Sequence, residues 1–304
     1  MSRYALLAFA FAVAATPASG GNVAYLSRTG SGTACSLGSP CTSTVTAVSV
    51  AGTNGEVICL DKGNYGGVTI SQSVTISCGD GLWEAIGTVS IGLPTGSDAV
   101  IEGLVDDGGG NSFGSVTMTG EGTLHLRNVR VGNFGGSNSF GLSFLPHGPA
   151  TLHIANSIFY NNSGSGVLIK PLSGGSANAH LRNVRFEHNL HGLFADGTNG
   201  VVNVNMAESA AVDNQQNGIG AFSPGSASVT VSVISSQITG NLTNGIGALA
   251  SGAGSVAVKI GNSQITGNVN GLAVGGTGQI LTLGGNHLHS NSNDGAFTGS
   301  ISTK

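Results

Sequence analysis

Charged residues are scarce: Asp, Glu, Lys and Arg make up 8% of the 304-residue chain, against about 25% in an average protein. Ten Lys and Arg stand against fourteen Asp and Glu, and no run of either sign occurs. Neither a nucleic-acid footprint nor an electrostatic membrane anchor fits such a composition. Proline is sparse at seven, and the 52 glycines follow no three-residue period, so collagen and proline-rich linkers are excluded too. Beyond the amino terminus no stretch approaches the roughly 18 consecutive apolar residues of a membrane-crossing helix. What is present is 39% hydrophobic residues and a positive mean hydropathy, enough to bury a core in one large domain or two small ones.

The amino terminus carries one positive charge, Arg3, then an apolar run from Ala5 to Ala15, then the small residues Ala18, Ser19 and Gly20. That order reads as a secretory signal peptide over residues 1–20, cut after Ala18 or Gly20. No Cys lies near the cut to take a lipid, and Thr303-Lys304 ends the chain without an anchor pattern. The expectation is a soluble protein that is secreted, periplasmic or held at the cell surface. Cysteine usage agrees, because Cys35, Cys41, Cys59 and Cys78 all lie in the first third of the mature chain. An even, clustered set in an exported protein predicts two disulfides. Three connectivities are open; a short local loop from Cys35 to Cys41 is favoured, leaving Cys59 for Cys78. Zinc is disfavoured by the lack of a Cys-x-x-Cys or a nearby His.

From about residue 120 the sequence repeats. An apolar anchor recurs at Phe159, Phe186, Ala211, Ile238, Ile265 and Leu288, at spacings of 27, 25, 27, 27 and 23 residues. Three residues after each stands Asn162, Asn189, Asn214, Asn241, Asn268 and Asn291, and a Gly-aliphatic step follows, as at Gly218-Ile219 and Gly245-Ile246. Five residues before each anchor runs a second aliphatic column, Ile154, Leu181, Met206, Val233, Ile260 and Leu283. Between the columns apolar and polar residues alternate, as in Val229 to Val233 and Val256 to Ile260, the pattern of half-buried strands. About three short strands in a unit of roughly 25 residues make one coil of a parallel β-solenoid. An Asn at one turn position in coil after coil can form a side-chain ladder and tolerates left-handed backbone, which gives the column a physical reason. A leucine-rich repeat lacks its fixed Leu-x-Leu spacing here.

Earlier segments fit less regularly. Glu56 to Leu60, Val68 to Ile70, Val74 to Ile76 and Ala99 to Ile101 are strand-like, and Thr42 to Ala51 is a candidate capping helix. A solenoid needs its terminal strand edges covered, so residues 21–55, with the first cysteines, are assigned as an amino-terminal cap and 56–304 as the β-helix. The run Gly63-Asn64-Tyr65-Gly66-Gly67-Val68-Thr69-Ile70, followed by Ser73-Val74-Thr75-Ile76, resembles the opening coil of secreted right-handed parallel β-helix proteins in the pectin-lyase-like superfamily. The Asn and Gly-aliphatic columns are similar to their repeat, and the likeness covers roughly residues 23–300. The resemblance implies an all-β, single-stranded right-handed parallel β-helix. It does not imply one activity, since the superfamily mixes lyases, hydrolases, esterases, epimerases, adhesins and proteins of no known activity.

The catalytic patterns of those relatives are missing. No Arg-x-Pro-x-x-Arg, Trp-x-Asp-His, Asn-Thr-Asp, Gly-His-Gly or Arg-Ile-Lys occurs, and the single Trp, Trp83, precedes Glu84-Ala85. Asp106-Asp107, the one acidic pair, reads as a turn before Gly108-Gly109-Gly110, and Tyr65 reads as packing at the first coil. His188 with His191, and His287 with His289, have the spacing of metal pairs, but no third ligand can be named and solvent-facing His is the better reading. No metal or cofactor is therefore assigned; Ca²⁺ enters only if the protein is a lyase. One constellation stands out. With Val131 as the preceding anchor, the outward residues beside successive anchors stack along the solenoid, so Arg130, Tyr160, Arg185 and Glu187 share one face. Bidentate Arg donors beside an aromatic ring suit sugars, uronic acids above all; surface ion pairing is the competing reading. The expected function is a non-catalytic, exported, monomeric β-helix that binds carbohydrate or serves as a surface or matrix component. The alternative is a polysaccharide lyase or glycoside hydrolase with divergent residues, Arg130 or Arg185 acting as base and Glu187 assisting.

Overall fold

A computed structural model describes residues 21–79, 81–110, 116–137 and 139–302. The segment assigned as a signal peptide, residues 1–20, lies outside these residues. The chain winds as a parallel β-solenoid, and one coil shows how. Strand Val201–Ala207 bends through two residues into Ala210–Val212, which bends again into Asn217–Ser223. The next coil repeats the order in Val229–Ile234, Gln237–Thr239 and Asn244–Ala250. Every strand pairs in parallel with its counterpart one coil away. The third strand of each coil belongs to a nine-stranded sheet, while the first and second strands merge into one larger sheet. They merge because Pro149–Tyr160 and Ser176–Glu187 run through the first bend as single strands.

Side chains that alternate along the chain become columns across it. Val57, Ile76, Ile101, Leu126, Ile154, Leu181, Met206, Val233 and Ile260 stand in register, and all are buried. Identical apolar shapes repeated at about 4.8 Å fill the interior as continuous stacks. The second column follows the anchors from Val131 through Phe159, Phe186, Ala211, Ile238 and Ile265 to Leu288. Phe159 and Phe186 stack there with ring centroids 6.0 Å apart. In the final coil a register shift pairs Ile260 with Thr282, so the aliphatic column does not end on Leu283 as expected. The shorter spacing to that coil is taken up by a bulge.

The bends are held by three polar ladders. In the first, each buried Asn of the repeat donates its Nδ2 to the Oδ1 of the next, from Asn162 to Asn189 at 2.8 Å through to Asn268 and Asn291 at 2.9 Å. Asp294 accepts from Asn291 at 2.8 Å and ends the row, and these hydrogen bonds lower its carboxyl below the usual value. The second ladder is of serine: the buried hydroxyls of Ser157, Ser209, Ser236 and Ser263 accept backbone N–H groups across coils and donate to carbonyls two residues back. In the third, Asn244, Asn270 and Asn293 donate in turn along a column that begins at Asn217.

Left-handed backbone does occur, but not at the laddered asparagines. It falls on the residue just before each, at Asn161, His188, Asp213, Gly240, Gly267 and Ser290, and on a second row at Asn128, Asn156, Asn183, Glu208, Ser235 and Asn262. The turn is made by one residue and braced by its neighbour, because a side chain pointing inward to the ladder cannot also sit at the kink. Where Asn is replaced by Gly the reason can be steric: a Cβ on Gly103, at φ 76°, would overlap the carbonyl oxygen of Gly79.

The amino-terminal end matches the expected cap in several respects. Helix Thr44–Ala51 buries Thr44, Ala47, Val48 and Ala51 against the first coil. Strand Val23–Leu26 already pairs in parallel with Gly55–Cys59. Both favoured disulfides are present, Cys35–Cys41 and Cys59–Cys78, the second joining two successive coils. Tyr65 is buried and donates its hydroxyl to the Asp61 carbonyl at 2.7 Å. Among the described residues no helix is long and apolar enough to cross a membrane.

Candidate functional site

The register places the four predicted face residues together. Arg130 lies opposite Ile158 and Ile158 opposite Arg185, while Gly132, Tyr160 and Glu187 form the neighbouring row. They resolve into two pairs. The Arg130 guanidinium carbon sits 5.9 Å from the centre of the Tyr160 ring, within cation–π range. Burial, with Asp107 nearby, raises the Tyr160 phenol above its ordinary pKa. Arg185 forms an ion pair with Glu187 through its Nε. Part of the face charge is thus neutralised within the face itself.

What the sequence did not reveal is the shape beside that face. Beside the first bend of successive coils, a strip of the outer surface is hollowed at two places along the solenoid axis. Arg130, Ile158, Arg185, Ala210, Gln237, Gln264 and His287 make one wall. The left-handed row makes the other and the serine ladder is the floor. Two depressions lie along this strip, one of about 300 Å³ that includes Asn128, Arg130 and Asn156, and one of about 640 Å³ from Asn183 and Arg185 to Gln264 and His287. The wall from Arg130 to His287 spans six coil steps, about 29 Å at ~4.8 Å per step. Its lining mixes amide, hydroxyl, guanidinium and imidazole groups and the Glu208 carboxylate with the apolar Val129, Ile158, Val184 and Ala210; the polar groups hydrogen-bond hydroxyl-rich ligands.

The Asp106-Asp107 pair is not the turn the sequence indicated. It closes strand Leu104–Asp107, with Asp106 buried in the anchor column opposite Val131. Asp107 accepts from Asn133 Nδ2 at 3.0 Å. The period-two pattern was obscured there by the following glycines.

The histidines also differ from expectation. His188, His287 and His289 are exposed, but His191 is half-buried, stacked on Phe194 at 4.7 Å between ring centroids. Its Nδ1 lies 3.2 Å from Asn217 Nδ2, at the head of the third ladder, and burial pushes its pKa down to about 4. Beside it a cleft of about 580 Å³ is lined by Phe140, Leu168, Lys170, Phe194 and Asp196, with Lys170 and Asp196 paired at 2.8 Å. Three histidines that the sequence reading passed over form the most regular polar stack on the outer surface. His125, His153 and His180 stand in register on the first sheet, with centroids 4.6 and 5.0 Å apart and planes within 6° and 15°. Their spacings of 28 and 27 residues match the repeat, and that was the available signal. Among the described residues no three His, Cys, Asp or Glu side chains converge on one metal position.

No family model matches the sequence, and no curated protein matches it. Solved structures do. The pectate lyase Pel9A superposes with a TM-score of 0.55 at 12% identity, over 93% of this chain and 78% of that one. The A-module of the Azotobacter vinelandii mannuronan C-5 epimerase AlgE4 gives 0.46 at 13% identity, over 86% and 94%. Endopolygalacturonase I from Stereum purpureum gives 0.33 at 13%, over 82% and 90%. At such identities the likeness to Pel9A is one of fold alone, that of a parallel β-helix.

Proposed function

We propose that the protein is an exported β-helix that holds an extended, uronate-bearing polysaccharide along the axial groove without cleaving it. Residues 1–20 serve as the leader, 21–55 as the cap and 56–304 as the binding solenoid, acting as a monomer at the cell surface, in the periplasm or in a matrix. The observation that carries this reading is the pair of depressions along one strip, with Arg130 in the first and Arg185, Gln237, Gln264 and His287 lining the second. A polymer of rings laid along the axis meets a new set of polar side chains at every coil. The two arginines supply the donors that carboxylates take best, and Glu187 beside Arg185 fixes that guanidinium in place.

The likeness to Pel9A favours a second reading, a divergent lyase or hydrolase with Arg130 or Arg185 as base, Glu187 assisting and Ca²⁺ as its metal. One experiment separates the two. The mature protein is incubated with plant, bacterial and animal polysaccharides, with and without Ca²⁺; released oligosaccharides are followed by mass spectrometry and retention by affinity electrophoresis. Retention on a uronate polymer without release, weakened roughly tenfold (about 1.4 kcal/mol) by Arg185→Ala with Glu187→Ala, is the expected result. Oligosaccharides released by the wild type and not by that variant would make it an enzyme. Neither retention nor release would end the groove reading.

A further inference from the structure

We propose that the His125–His153–His180 stack is a surface site for a divalent transition metal such as Zn²⁺, Ni²⁺ or Cu²⁺. Two neighbouring imidazoles bind the ion, and His153 is common to both pairs. The argument begins with the fold. Parallel in-register pairing repeats one outward position at every coil, and here three successive coils place a histidine in it. Asn205 follows in the next coil. The rings lie face to face at 4.6 and 5.0 Å, so their edges form a row. A Zn–N bond is about 2.0–2.1 Å, which sets two nitrogens on one tetrahedral ion about 3.3 Å apart. The nitrogen lone pairs lie in the ring planes, so two neighbouring rings must rotate out of the face-to-face stack to converge on one ion. Since no three groups converge already, the ion takes two imidazoles and completes its sphere with water.

An imidazole offers its lone pair to a metal ion in its neutral form. The fixed charges facing the stack oppose one another: Asp98 favours a cation and Arg127 disfavours it, while Arg182 is held by Glu208 through bonds of 2.9 and 3.0 Å. Paired imidazole donors select zinc, nickel and copper over the oxygen-loving Ca²⁺ and Mg²⁺. The site faces away from the axial groove's floor and is independent of the polysaccharide reading.

The test is calorimetric titration of the disulfide-intact mature protein with Zn²⁺, Ni²⁺ and Ca²⁺ at pH 7.5. Four chains are compared, among them wild type, His153→Gln, and His287→Gln with His289→Gln, which removes the exposed pair near the carboxyl end. The expected result is binding of Zn²⁺ and Ni²⁺ but not Ca²⁺, at least tenfold weaker in His153→Gln and unchanged in the double variant. His125→Gln with His180→Gln, which leaves His153 alone, should weaken binding as much, and circular dichroism checks that each variant keeps its sheet. Absence of binding, binding that survives His153→Gln in a folded chain, or binding lost only with His287 and His289 overturns the proposal.

Discussion

Asn214 donates both its side-chain amide and its backbone N–H to a single atom, Oδ1 of Asn241, at 2.9 and 3.1 Å. Asn241 does the same to Asn268 at 2.8 and 2.9 Å. Every rung therefore satisfies two donors with one acceptor, in a place where water does not reach. Truncating Asn241 leaves the Asn214 backbone N–H without its acceptor, and Asn214 Nδ2 keeps only the Phe186 carbonyl, at 3.3 Å.

Asn241→Ala is expected to destabilise the solenoid by about 3 kcal/mol, the cost of orphaned buried donors. The check is equilibrium denaturation with hydrogen exchange, and protection should drop first at Asn214 and Asn268. A variant as stable as the wild type would show that the ladder only decorates the bend.

The two disulfides differ in what they close. Cys59–Cys78 spans 19 residues and Cys35–Cys41 spans 6, so loop entropy assigns about 3 kcal/mol to the first and about 2 to the second. Cys59→Ala with Cys78→Ala should loosen the first two coils more than the local loop's removal does. Limited proteolysis reads this as cleavage between residues 21 and 103. Cuts appearing first in the later coils would contradict it.

Stability should fall on mild acidification. His191 and His153 titrate at about 4 when folded and near 6.5 unfolded. Between those values the unfolded chain binds more protons, so stability is full above about pH 6.5 and is lost toward pH 4. The lowered carboxyls of Asp61 and Asp294 act only from 3.8 downward, which separates the two windows. His191, the better buried, contributes on the order of 2 kcal/mol, roughly 4 °C in Tm. His191→Gln, whose amide oxygen can still accept from Asn217, should flatten the slope between pH 7 and 4.5. An unchanged slope would place the sensitivity elsewhere.

Much of the fold was legible because a solenoid writes its third dimension into its period. Residues one coil apart in sequence are neighbours in space, so stacking Phe159 on Phe186 and Asn214 on Asn241 needed no knowledge of distant contacts. The same arithmetic paired Arg185 with Ile158 and Glu187 with Tyr160. It faltered where the period did: at the Ile260–Thr282 bulge, and at Asp106, where glycines masked the strand. The His125, His153 and His180 spacing was readable but lies beside the aliphatic column of Leu126, Ile154 and Leu181, six residues before the anchors that drew attention.

The sequence by itself determined the coil, its first asparagine ladder and which residues share a face, since these follow from a periodic order of apolar and polar side chains; it left three disulfide pairings open, of which the structure holds the favoured one. Only the tertiary structure decided that two depressions lie beside the first bend, and that Arg130 turns to Tyr160 while Arg185 turns to Glu187. Those depend on bend angles and side-chain rotamers, and these are set by packing between coils and leave no period in the chain.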